Sequence, residues 1–166
     1  MAIGRGTQNY TCDLTNSTAV PKAVGAVAKL FNATCLVSTF PDLATILPKV
    51  AMQFVVNSVD SRMGPSNLAF SGDHYFTDNT TPFFNLDSPL QKLGAAACTK
   101  NASVPAPQDA AKGPKGEAAV PWLKLLTTPG STGELQEVYR LNTAGGSAPA
   151  SCVGQPAAFQ VEYSAQ

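Results

Sequence analysis

The sequence predicts a mostly β single domain over residues 1–166, an antiparallel β-barrel or β-sandwich with one or two short helices around residues 41–57. Three observations carry that expectation. Short runs of alternating apolar and polar residues recur along the chain. Thirteen Gly and thirteen Pro lie largely between those runs, where they form turns. Only one stretch has helical spacing. Neither an internal repeat nor a composition break argues for a second domain.

Thr7–Leu14 reads as a first strand, with Gln8, Tyr10, Cys12 and Leu14 on one face. Ala23–Val37 fits a helix or a strand, and its β surroundings favour strand. In Pro41–Val56, Leu43, Leu47, Val50 and Phe54 form one apolar stripe at helical spacing. Proline is tolerated in the first turn of a helix but not in its interior. A short turn from Pro41 and a second helix starting near Pro48 are therefore expected. Strands follow at Leu68–Phe76, Pro82–Leu86 and Leu93–Lys100. Val104–Ala119, rich in Pro, Gly and Lys, reads as a loop. Val120–Thr127, Glu134–Asn142 and Ala157–Tyr163 complete the strands, and Gly130–Gly133 reads as a hairpin loop. Gly145-Gly146 is expected to supply positive-φ turn geometry.

Composition excludes some functions. Eleven basic and eleven acidic residues give zero net charge, so nothing marks a nucleic-acid surface. No run reaches the roughly 18 apolar residues of a membrane span. Met1–Gly6 lacks the apolar centre of a signal peptide, so the chain reads as a mature sequence. Four cysteines, Cys12, Cys35, Cys98 and Cys152, are compatible with two disulfides, and none has the C-x-x-C spacing of a zinc or redox site. Glycosylation sequons begin at Asn9, Asn16, Asn32, Asn79 and Asn101. Chance predicts roughly one or two on this composition. The excess points to a secreted, extracellular protein.

Several segments together resemble a known family. They are Gly6-Thr7-Gln8-Asn9-Tyr10-Thr11-Cys12, Gly72-Asp73-His74-Tyr75, Val120–Leu126, the block Arg140–Cys152 and a closing Val161–Ala165. In this order they are similar to small secreted fungal proteins, with bacterial relatives, catalogued only as a domain of unknown function. The resemblance implies an effector-like module released during interactions with plants. It also implies the pairing Cys12–Cys152 with Cys35–Cys98. The shorter loops of Cys12–Cys35 with Cys98–Cys152 favour that alternative. Many members carry the label malate dehydrogenase, which this sequence does not support. Its only approach to G-x-G-x-x-G is Gly4-x-Gly6, with Asn9 in the third glycine position and no strand before it.

Four residues are candidates for ligand binding: His74, Tyr75, Trp122 and Arg140. His74 is the sole histidine, so multi-histidine metal sites are ruled out, and no metal or cofactor is expected. A hydrolase could use His74 with Asp73 or Arg140, although no G-x-S-x-G elbow is present. A structural role in a β turn is the plainer reading of His74. Tyr75, Phe76, Phe83 and Phe84 could form an aromatic surface beside it. Trp122 could pack in the core or stack on a sugar. Arg140 could brace the fold or bind a carboxylate or phosphate. Three functions stay open: an interaction protein for a host or cell-wall component, a small-ligand or carbohydrate-binding protein or hydrolase, and a structural cell-wall protein. A homodimer is compatible with each.

Overall fold

A computed structural model describes residues 1–16, 18–55 and 61–166. The strands are β1 (Ala2–Thr11), β2 (Lys22–Asn32), β3 (Phe70–Phe76), β4 (Pro82–Asp87), β5 (Lys92–Val104), β6 (Trp122–Thr127), β7 (Glu137–Arg140), β8 (Ala144–Gly145) and β9 (Ala158–Ala165). The helices are α1 (Thr34–Thr39) and α2 (Leu43–Ala51). The mostly β expectation holds.

The strands form one antiparallel sheet in the order β7-β6-β5-β4-β3-β2-β1-β9-β8. β1 to β7 run as a meander, each pairing with the next. After β7 the chain crosses directly to the other edge as β8, and β9 returns between β8 and β1. The sheet curls so that Leu141, just past β7, exchanges two 2.9 Å backbone hydrogen bonds with Gln166, just past β9. The result is a half-barrel whose edges meet at that point.

The strand pleat sends alternate residues to opposite faces. On the convex face, Ile3 and Phe31 pack with Ala33, Leu47, Ala51, Met63 and Leu68, partly under the two helices. The concave side carries a cluster of small residues, Ala26, Ala28 and Ala165, with Val120 and Tyr163. Close approach of β1 to β2 requires Gly6, because a Cβ there would lie 1.9 Å from the Val27 carbonyl oxygen. Gly145 and Gly146 have φ of 62° and 96°, the predicted turn geometry; Gly145 also belongs to the short β8 pairing, and Gly146 bridges Ala119. β8 escaped the sequence reading because two residues carry no alternation.

Two helix expectations need correction. α1 lies before residue 41, in a segment read as strand; the strand ends at Asn32. α2 does not begin at Pro48 but contains it. The end of the expected 41–57 span, Val56 and Asn57, lies outside the described residues. A proline inside a helix removes the hydrogen bond to the carbonyl four residues earlier. Here that carbonyl belongs to Ala44, and it accepts a 3.3 Å hydrogen bond from the Asn142 side chain instead. The same amide nitrogen donates to Gln166 Oε1 at 2.6 Å. Asn142 therefore replaces the missing helix donor and ties α2 to the closure of the sheet.

Cys12 and Cys152 form a disulfide that joins the end of β1 to the segment before β9. The expected Cys35–Cys98 bridge is not formed, and both are free thiols. Cys98 is packed with Ala96 and Leu125, whereas Cys35 sits exposed on α1, so the fold holds the two in separate surroundings.

Candidate functional site

The curled sheet encloses an open cavity of about 640 Å³, to which every strand except β8 contributes. This lies within the roughly 300–1,000 Å³ of small-molecule sites. The cavity exists because the sheet is bent while its floor carries small side chains. Leu30, Leu86, Leu123, Leu125 and Val138 give it apolar walls. Its polar lining includes Gln8 from β1, His74 from β3, Lys100 and Ser103 from β5, Arg140 from β7 and Tyr163 from β9.

His74 is 8% exposed. Its ring stacks on Phe84 at 4.3 Å between centroids and meets Phe76 edge-on at 5.6 Å. Burial pulls its pKa down to about 4; its hydrogen bond to Phe83 opposes that, and the Arg140 charge adds to it. At neutral pH the ring is uncharged. Nδ1 lies 3.0 Å from the Phe83 carbonyl oxygen. A carbonyl can only accept, so Nδ1 carries the proton and Nε2 keeps the lone pair.

Arg140 is half-buried. Its Nε and one Nη donate to the Pro121 carbonyl at 3.2 and 2.8 Å. Burial holds its pKa below the usual arginine value, against the pull of Tyr163 and Tyr10. Those tyrosines are themselves raised by burial, Tyr163 to about 12, so both are neutral at pH 7. The ion pairs among the described residues are Arg5–Glu162, Lys29–Asp73 and Lys124–Glu137, and Arg140 is in none of them. Gln8 lies against the Tyr163 hydroxyl, yet its buried Nε2 has no hydrogen-bond partner within normal distance and angle among the described residues.

The candidates divide. His74 and Arg140 line the same cavity. Tyr75, next to His74 along a strand, points to the opposite face, where it is 37% exposed and pairs with Phe83 at 5.2 Å. The expected aromatic surface is thus split by the pleat, with Phe76 and Phe84 inside beside His74. Trp122 is also outside the main cavity. It lines a crevice of about 270 Å³ with Thr45, Lys49 and Asn142, and its buried Nε1 has no hydrogen-bond partner among the described residues.

The Asp73–His74 pairing needed for a triad is not formed. Asp73 points away from the cavity and binds Lys29 at 2.8 Å, while His74 Nδ1 faces a carbonyl. Gly4 and Gly6 lie in the middle of β1, paired on both sides, and form no phosphate loop. Gln8 and Tyr163 each lay within a predicted strand, Gln8 on one face with Tyr10, Cys12 and Leu14. Nothing in the sequence marked them as neighbours, because they come together only through the β1–β9 pairing.

Among the sequons, Asn16, Asn32, Asn79 and Asn101 are exposed and Asn9 is half-buried. No helix among the described residues is long and apolar enough to cross a membrane.

Fold and site define a class: an antiparallel half-barrel with a ligand-sized, mainly apolar cavity and a few inward polar groups. The chain belongs to the DUF3455 family, described as a protein of unknown function, whose model matches residues 1–166. No curated protein and no solved structure matches it.

Proposed function

We propose that this is a secreted binding protein that takes a small, mainly apolar molecule into the hollow of its curled sheet. The observation that carries this reading is the cavity of about 640 Å³, walled by apolar side chains from across the sheet with polar groups at a few points. Such a combination fixes a ligand's orientation while burying most of its surface. Exposed sequons and the Cys12–Cys152 bridge support an extracellular setting, where disulfides persist. An effector-like role at a fungus–host or cell surface is the context that the family resemblance suggests. In that context the module would act by capturing or presenting its ligand.

The test uses decanol and related medium-chain compounds, with displacement of a fluorescent apolar probe as the readout. Leu123→Trp fills the cavity from β6. Binding to the native protein, lost in a Leu123→Trp variant that keeps its circular dichroism, supports the reading. Equal binding by the filled variant contradicts it.

A second reading rests on a different surface. Exposed Tyr75 and half-buried Phe83 form an aromatic pair on the convex side, suited to contact with a host or cell-wall component. Loss of host-extract or glycan binding in Tyr75→Ser, with cavity binding intact, would favour it.

A further inference from the structure

Among the described residues, no carboxylate pairs with one cation that lines the cavity. Arg140 is partly desolvated, and among the described residues its side chain donates only to the Pro121 carbonyl. Taking a guanidinium out of water is costly unless an anion offsets it. The polar groups near it cannot do so, because Tyr10 and Tyr163 stay protonated at neutral pH. Gln8, only 8% exposed, adds a second donor, a buried amide N–H with no acceptor among the described residues. Both residues line the same space. A guanidinium edge and an unpaired amide N–H share one complement, an anionic oxygen acceptor.

The charge of that acceptor also follows. His74 is neutral, so the wall supplies one buried-side cation rather than two. Lys100 also lines the cavity but is exposed, where water already solvates it. A single desolvated guanidinium matches a single negative charge. The remaining wall, with Phe84, Leu86, Leu125 and Val138, matches an apolar body.

Resting on the ligand-binding reading above, we infer that the ligand is an amphipathic monoanion, a carboxylic acid with an apolar body, whose head meets Arg140 and Gln8. The planar fork of arginine fits a carboxylate in two-point fashion. A dianionic phosphate would leave one charge without a partner in an apolar enclosure.

The test is equilibrium dialysis at pH 7 with decanoate, decanol, decyl phosphate and decyltrimethylammonium, each below its micelle concentration. A charged hydrogen bond contributes roughly ten- to hundredfold in affinity. Decanoate is expected to bind at least about tenfold more tightly than decanol, with decyltrimethylammonium weakest. Arg140→Gln should collapse the decanoate-to-decanol affinity ratio to about one, at least a tenfold loss of preference. Gln8→Leu should weaken decanoate alone. Equal binding of decanoate and decanol overturns the anion while keeping the apolar cavity. Tighter binding of decyl phosphate overturns the monoanion. Binding of none of the four overturns the ligand-binding reading itself. Should Arg140→Gln not fold, the decanoate-to-decanol ratio of the native protein decides alone.

Discussion

Burying His74 as a neutral ring makes the stability of the protein depend on pH. Its pKa is about 4 in the folded chain and about 6.5 when unfolded. Between those values the unfolded chain binds the proton and the folded chain does not. Stability is therefore fully present above about pH 6.5, falls as pH drops towards 4, and loses nothing more from this residue below that. The difference of roughly 2.5 units corresponds to about 3 kcal/mol across the window. His74→Asn keeps an amide donor in place of Nδ1–H but removes the titration. Urea unfolding of both proteins from pH 7.5 to 4 isolates the effect, since all carboxylates are common to the two. The native-minus-variant difference should shrink by about 3 kcal/mol on acidification. As the sole histidine, His74 also gives a single Cε1–H signal for direct titration by NMR. A signal titrating near 6.5, or a pH-independent difference, would refute the burial argument.

Further predictions concern the frame around the cavity. The Cys12–Cys152 bridge spans 140 residues, so the Cys12→Ser/Cys152→Ser variant should lose about 5 kcal/mol in urea unfolding. Asn142→Ala leaves the Ala44 carbonyl and Gln166 without their donor, and should cost about 1–3 kcal/mol by the same assay. A thiol reagent should modify Cys35 rapidly in the folded protein and Cys98 only on unfolding, which peptide mapping reads directly. Equal modification rates would mean that Cys98 is not packed as described.

Much of the fold was legible because the strands alternate or sit between turn residues. Ala157–Tyr163, with its clean alternation, lies within one residue of β9 at its start and two at its end. The second helix was misplaced because proline's local rule was overridden by a side chain 94 positions away, Asn142 serving Ala44 on the other side of Pro48. Of the candidate site, His74 and Arg140 were named from residue type alone, and both line the cavity. Tyr75 failed on the pleat, since neighbours along a strand face opposite ways. Phe76 and Phe84 share the His74 face for the same reason. The cavity itself was not legible. It depends on how far the sheet curls and on Leu141 meeting Gln166, a contact between distant parts of the chain.

The proposed ligand site is the concave face, not the outer surface. Intermolecular NOEs with ¹³C-labelled decanol or decanoate test it most directly. Contacts from the ligand methylenes to Phe84, Leu125 and the His74 Cε1–H are predicted. Contacts confined to Tyr75 and Phe83, or to Trp122, would contradict it.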